Sequence, residues 1–248
     1  MKYDQAKFLP MGDRALTMEF GDEISKKINA VIRRTTKAIE AHKEGILEIL
    51  PTYRSITILY DPDVLSYESL VEQLRSYEGE DAEEASQQVK LIEIPTVYGG
   101  DYGPDLAHVA EHAGLSTEEV VKIHTGTDYL VYMLGFSPGF TYLGGLDPRI
   151  ATPRLESPRL KIPAGSVGIA GSQTGMYPSE SPGGWQLIGR TPLKLYRPEE
   201  EPPVFIQAGD YIRYVPVTEE EFQAIAHDVD AGTAQIHTQV LEGGALHE

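Results

Sequence analysis

Apolar and polar positions alternate from Leu16 through Met18 to Phe20 and stop at Gly21, the period-two pattern of a half-buried strand. The period then changes. Ile24, Ile28, Val31, Ile32, Ala38 and Ile39 fall mostly on one side of a helical wheel, which predicts a helix from about Ile24 to His42, with Gly45 suited to the stop. Two short strands are predicted around Ile46 to Leu50 and Arg54 to Tyr60, the second stopped by Asp61-Pro62. Ser66 can cap a helix that carries Leu70, Val71 and Leu74. Val89 to Ile94 reads as a last strand. The order β-α-β-β-α-β is the split βαβ, ferredoxin-like arrangement, one sheet with both helices on the same face.

Further along, Pro104 suits the first turn of a helix whose stripe is Leu106, Val109, Ala110 and Ala113 and whose end is Gly114. Ser116 and Glu119 make a capping box for a second helix reaching about His124. From Tyr129 to Val217 short apolar pieces are cut by Gly and Pro, the pattern of an all-β barrel with long loops. A terminal helix follows, with Thr218 and Glu221 as its capping box and Phe222, Ile225, Ala226 and Val229 as its apolar face. The tail from Gly232 is expected to be loose.

Composition sharpens this division. Residues 1–94 hold 4 Gly and 3 Pro, residues 95–248 hold 20 Gly and 14 Pro, and the acidic run Glu78-Gly79-Glu80-Asp81-Ala82-Glu83-Glu84-Ala85-Ser86 reads as a linker. The expected organisation is α+β: a ferredoxin-like domain over 1–88, with the linker at 78–86, and a β-barrel domain over 89–248. The absence of cysteine excludes disulfides, thiolate nucleophiles and thiolate metal sites. No apolar leader opens the chain, and the longest apolar stretch, Tyr129 to Phe136, is far shorter than the roughly 20 residues of a membrane span, so a cytoplasmic protein is expected. A formal charge of −17 speaks against nucleic-acid binding. Residues 149–197 invert that balance, with seven basic side chains (Arg149, Arg154, Arg159, Lys161, Arg190, Lys194, Arg197) against Glu156 and Glu180. The island suits an anion, or it balances neighbouring acids.

Two catalytic patterns fail on physical grounds. Gly135-Phe136-Ser137-Pro138-Gly139 matches the G-x-S-x-G nucleophile elbow, but Pro138 lacks the N–H that would serve the oxyanion hole. His108-Val109-Ala110-Glu111-His112 matches H-x-x-E-H, yet the helical stripe turns both histidines away from the core, so no metal site is read there. Neither a Walker-type phosphate loop nor a dinucleotide fingerprint is present.

Several segments together carry a resemblance: Pro10-Met11-Gly12-Asp13-Arg14-Ala15-Leu16, Tyr98-Gly99-Gly100-Asp101-Tyr102-Gly103-Pro104-Asp105-Leu106, Gly135-Phe136-Ser137-Pro138-Gly139-Phe140-Thr141-Tyr142-Leu143, Pro163-Ala164-Gly165-Ser166-Val167-Gly168 and Ser181-Pro182-Gly183-Gly184-Trp185-Gln186-Leu187-Ile188-Gly189-Arg190-Thr191. Over about residues 8 to 225 the chain resembles the KipI/PxpB family, the B subunits of prokaryotic 5-oxoprolinase, also described as the first subunit of allophanate hydrolase. The resemblance implies a ferredoxin-like domain followed by a cyclophilin-like β-barrel. It implies two partner subunits, one KipA/PxpC-like and one LamB/YcsF/PxpA-like, with which the family opens 5-oxoproline to glutamate at the expense of ATP with Mg²⁺, the nucleotide bound with or by the KipA-like partner. It also implies a second role, inhibition of a sporulation histidine kinase by binding its dimerisation helices. A third reading, carboxyltransferase-like action on urea-type amides, follows from the allophanate name.

Under the first reading the site must hold a substrate carboxylate and stabilise phosphoryl charge, which suits Arg154, Arg159 and Arg190 as anion clamps. Gly165, Gly183 and Gly184 would let backbone approach a ligand, and Trp185 would form a pocket wall. Gln173 and Tyr177 would orient the lactam, and His124, at the mouth of the barrel segment, is assigned an acid/base or substrate-binding role. Trp185 read as core, Arg154 and Arg159 read as paired with Glu156 or with the KipA-like partner, and His124 read as a helix C-terminal cation remain open alternatives. Under the kinase reading Phe136, Pro138, Phe140 and Tyr142 form an exposed docking surface.

Overall fold

The computed structural model describes residues 1–77 and 89–241, in two units that meet in the sequence at Ala85 and Ser86. The acidic run at 78–86 and the expected boundary at 88 lie outside the described residues.

The first unit runs β1 (Lys2–Pro10), β2 (Ala15–Gly21), α1 (Lys26–Glu40), β3 (Ile46–Pro51), β4 (Ser55–Tyr60) and α2 (Tyr67–Ser76). The sheet is antiparallel, in the order β1-β2-β4-β3. Because strand side chains alternate, Leu16, Met18 and Phe20 of β2 share a face with Ile56, Ile58 and Tyr60 of β4, and Ile28, Ile32 and Ile39 of α1 with Leu70 and Leu74 of α2 bury it. Each helix starts at a serine that accepts a first-turn N–H, Ser25 from Ile28 at 3.2 Å and Ser66 from Ser69 at 3.1 Å.

The edge strand departs from expectation. The fourth strand of this sheet is β1, ahead of the expected elements, and Val89–Ile94 is not part of it. β1 has no row of buried residues, and only Ala6 and Phe8 pack against the core, so its pattern carries little apolar signal.

The second unit opens with β5 (Val89–Tyr98), α3 (Leu106–Ala113) and α4 (Thr117–Thr125), followed by β6 (Asp128–Leu134), β7 (Thr141–Gly144) and a single 3₁₀ turn at Pro148–Ile150. It continues with β8 (Arg159–Ile162), β9 (Ser166–Ala170), β10 (Gln173–Met176), β11 (Ser181–Gly183), β12 (Gln186–Arg190), β13 (Tyr211–Pro216), α5 (Glu219–Ala231) and β14 (Thr238–Leu241). The main sheet follows the path β10-β9-β12-β5-β13-β6-β7, and its two end strands lie against each other, so the barrel is nearly closed. β8 and β11 form a separate ribbon.

β5 is central because both its faces are apolar: it runs parallel to β13 along Leu91–Thr96, and its last residues pair with β12. Its first residues pair with β14, so the tail beyond Gly232, expected loose, returns as a strand over Thr238–Leu241. Leu106, Val109 and Ala110 of α3 and Val120 of α4 join Ile94, Tyr129, Val131, Ile169, Ile188 and Tyr214 in the principal core. Both capping boxes form, Ser116 with Glu119 and Thr218 with Glu221. Among the described residues no helix is long and apolar enough to cross a membrane.

Candidate functional site

Three aromatic rings meet edge to face, from residues just before β7, just after β10 and just before β12. Phe140, Tyr177 and Trp185 have centroids 5.9 to 6.3 Å apart and pack with Ile162, Ala170 and Leu187 as a core of their own. Trp185 is therefore a buried side chain rather than an open wall. Gly183 is glycine for a reason of space: a Cβ there would stand 2.4 Å from the Tyr177 hydroxyl oxygen and 2.9 Å from Ile162 Cδ1. Burial pushes the Tyr177 hydroxyl up, while the Trp185 backbone and the positive charges of Arg154 and Arg159 pull it back.

Those two arginines are held differently. Arg159 is half-buried, its Nη2 donating to Asp105 Oδ1 at 2.7 Å and its Nη1 to the Trp185 carbonyl at 3.4 Å. Its partner is thus Asp105 rather than Glu156. Arg154 is exposed and has no ion-pair partner among the described residues, but its backbone is fixed on both sides. Gln186 Nε2 donates to the Pro153 carbonyl at 2.9 Å, and the Leu155 N–H donates to the Gly184 carbonyl at 2.7 Å. Gly184 contributes this carbonyl and no close approach, since a Cβ there would meet nothing nearer than 3.6 Å.

The basic island is largely neutralised. Besides Arg159, Arg149 pairs with Asp147, Lys161 with Glu180, Lys194 with Asp230 and Arg197 with Glu200, at 2.6 to 3.0 Å. Arg190, at the far end of β12 from Trp185, is held over the Tyr102 ring with its guanidinium carbon 5.5 Å from the centroid. Gly165 is a turn residue with φ +78°, where a Cβ would lie 2.3 Å from the Thr191 carbonyl, so its freedom serves the fold and not a ligand. Gln173 is half-buried at the β9–β10 hairpin.

His124 is not at an open mouth. It is fully buried at the end of α4, its Nδ1 2.8 Å from the Tyr98 hydroxyl and its Nε2 2.8 Å from Thr174 Oγ1. Burial lowers it to about 3, so the ring is neutral. This excludes both the cation at a helix terminus and direct contact with an open site. The proposed docking surface also breaks up: Phe136 is 78% exposed and Pro138 exposed, but Phe140 is buried and Tyr142 only partly accessible. His108 and His112 face solvent, as the helical stripe requires. Asp105 and Tyr98 are the residues sequence reasoning missed. A groove of about 810 Å³ lies beside α3 and α4 and is lined by Tyr98, Gly99, Pro104, Leu106, Val121 and Lys122, none of them among the candidate side chains.

Comparison with known proteins bears on the whole arrangement. The family described as carboxyltransferase domain, subdomain C and D, matches residues 6–206. The chain belongs to this family. It is 46% identical over 225 residues to the B subunit of 5-oxoprolinase from Bacillus subtilis (strain 168), a likeness covering 86% of this chain and 94% of that protein. To the B subunit of 5-oxoprolinase from Escherichia coli O157:H7 it is 42% identical over 216 residues, covering 87% and 98%. Among solved structures, the urea amidolyase of K. lactis matches 94% of this chain and 16% of its own, at 25% identity and a TM-score of 0.77. In this carboxyltransferase-family chain the matched stretch includes Asp105, Arg154, Arg159, Tyr177 and Trp185, and ends before β13, α5 and β14.

Proposed function

We propose that the chain is the B subunit of an ATP-dependent 5-oxoprolinase, non-autonomous and active with two partner subunits, one KipA-like and one LamB/YcsF-like. The observation that carries this reading is the nearly end-to-end likeness to the 5-oxoprolinase B subunits of two bacteria, at 46% and 42% identity. The order β1-β2-β4-β3 with both helices on one face supports a ferredoxin-like first unit in which β1 replaces the last strand, and the nearly closed sheet supports a cyclophilin-like second one.

The chemistry proposed for this chain is binding and orientation. The substrate carries one carboxylate and a resonance-stabilised lactam. Arg154 and Arg159 would hold the carboxylate as charge-assisted donors. The Tyr177 hydroxyl, protonated at neutral pH because burial raises it, would donate to the lactam, with Gln173 as a second orienting group. ATP supplies the driving force by making the lactam carbon electrophilic. We assign the nucleotide and its Mg²⁺ to a site formed with or by the KipA-like subunit, where phosphate oxygens and one or two carboxylates suffice to hold the metal. The cytoplasm, where ATP is available, is the compartment this reading requires.

The test is complementation: a strain lacking its own B subunit should regain growth on 5-oxoproline as sole nitrogen source when it expresses this chain, and failure with a folded, expressed chain counts against the reading. One observation favours a second role, docking to a protein partner through Phe136 and Pro138. Phe136 is 78% exposed with φ 66°, a left-handed backbone that a bulky residue adopts only at a cost. A histidine kinase is one such partner, and the buried Phe140 narrows that surface to the Phe136 loop.

A further inference from the structure

Asp105 occupies the N-cap position of α3 but does not cap it. Its side chain makes no hydrogen bond to the first turn of its own helix. Instead the carboxylate is turned across the unit: Oδ1 accepts from Arg159 Nη2 at 2.7 Å, and Oδ2 accepts from the Leu187 backbone N–H at 2.6 Å. The backbone is engaged with the same strand, since the Asp105 N–H donates to the Leu187 carbonyl at 2.9 Å, while the Asp105 carbonyl accepts from Val109 N–H at 2.9 Å to start the helix. One buried carboxylate thus joins α3, β12 and the arginine at the start of β8.

An aspartate free to cap its helix would stabilise it. That gain is forgone here, and what replaces it is orientation. Arg159 has several rotatable bonds and would otherwise sample many rotamers. With Nη2 on Asp105 and Nη1 turned to the Trp185 carbonyl, the guanidinium is held on two sides, and the N–H groups not used in these two contacts are the donors an anion would meet. Preorganising a donor in this way lowers the entropic cost of binding without touching the ligand.

We infer that Asp105 is a positioning residue for Arg159, fixing that guanidinium so that it receives the carboxylate of the substrate. The inference rests on the anion role given to Arg159 above. Asp105 contacts no substrate atom itself. Its effect passes through Arg159, which separates it from a residue that only ties α3 to β12 through Leu187.

The experiment is a double-mutant cycle in the assembled complex of all three subunits, with steady-state turnover of 5-oxoproline measured for Asp105→Asn, Arg159→Ala and the pair. Arg159→Ala should raise KM about tenfold, the scale of a lost charge-assisted hydrogen bond. Asp105→Asn, which keeps the shape and an acceptor for Leu187, should raise KM by about three- to tenfold with kcat within about twofold, and should add nothing in the Arg159→Ala background. Asp105→Glu, which retains the carboxylate, should recover most of the lost affinity. Equal effects of Asp105→Asn with and without Arg159, or a fall in kcat at unchanged KM, would overturn the proposal. Failure of both Asp105 variants to assemble would overturn it too, by making the residue structural. If Arg159→Ala leaves KM unchanged, the anion role of Arg159 is what falls, and an inactive wild-type complex would instead remove the oxoprolinase reading.

Discussion

The Tyr98 hydroxyl donates to Nδ1 of His124 across 2.8 Å, from the wall of the α3–α4 groove into the interior of the barrel. The direction follows from the rest of the chain of bonds. Thr174 Oγ1 donates to the Gly168 carbonyl at 3.0 Å, so it accepts from His124 Nε2–H, and Nδ1 is left as the acceptor. Tyr214 packs against the ring at a tilt of 33° with centroids 4.5 Å apart, and the Tyr129 hydroxyl donates to the His124 carbonyl at 2.8 Å. A neutral imidazole satisfied on both nitrogens is a structural group.

This makes a prediction about pH. His124 falls from an ordinary value of 6.5 to about 3 through burial, so the unfolded chain takes up a proton below 6.5 that the folded chain refuses. Stability is full above pH 6.5 and is lost progressively as pH falls from there towards 3. Melting temperatures measured between pH 7.5 and 4.5 should show this loss, and His124→Gln should be less stable at pH 7.5 with a flatter slope.

Gly183→Ala should disturb Tyr177, because the added methyl would meet its hydroxyl at 2.4 Å. Overpacking of this kind costs about 1–3 kcal/mol. Urea unfolding of the isolated chain would measure the loss, and turnover in the complex should fall with it. Gly184→Ala, with its nearest neighbour at 3.6 Å, is the control and should be close to neutral in stability.

Arg154 and Arg190 should separate. Arg154→Ala should raise KM for 5-oxoproline by about tenfold, as expected for loss of a charge-assisted contact. Arg190→Ala should leave KM within about twofold and lower stability by about 0.5–1 kcal/mol, the worth of its stacking on Tyr102. An equal rise in KM for both would put Arg190 in the binding site.

Phe136→Gly should stabilise the isolated chain by about 1 kcal/mol, because glycine relieves the left-handed backbone and little burial is lost at 78% exposure. If the side chain is kept for a partner, the same change should weaken binding of that partner, measured by calorimetry. Unchanged affinity for every other member of the complex would leave the exposed ring without a docking role.

What was legible in the sequence was local. Ser66, Ser116 and Thr218 mark helix starts through bonds that span three residues, and each forms. The strands of the first sheet were readable where one face is buried, as along Leu16, Met18 and Phe20. β1 is not legible because an edge strand rich in polar side chains carries no alternating apolar signal, and nor is the pairing of β5 outside the first sheet, because its order in the chain says nothing of its partners. The site shows the same limit. Residue type alone marks Arg159 and Tyr177, but the partner of Arg159 stands 54 positions away, and the partners of His124 stand 26 and 50 away. No pattern in a single sequence distinguishes an aspartate that caps its helix from one that reaches to a distant arginine.

The central claim is that this chain is a required part of a 5-oxoprolinase. The most direct measurement is release of glutamate and phosphate from 5-oxoproline and ATP by the KipA-like and LamB/YcsF-like subunits, with and without this chain. The account predicts turnover only when all three are present, with glutamate and phosphate rising together. Equal turnover without the chain, or none from a folded mixture of the three, would contradict it.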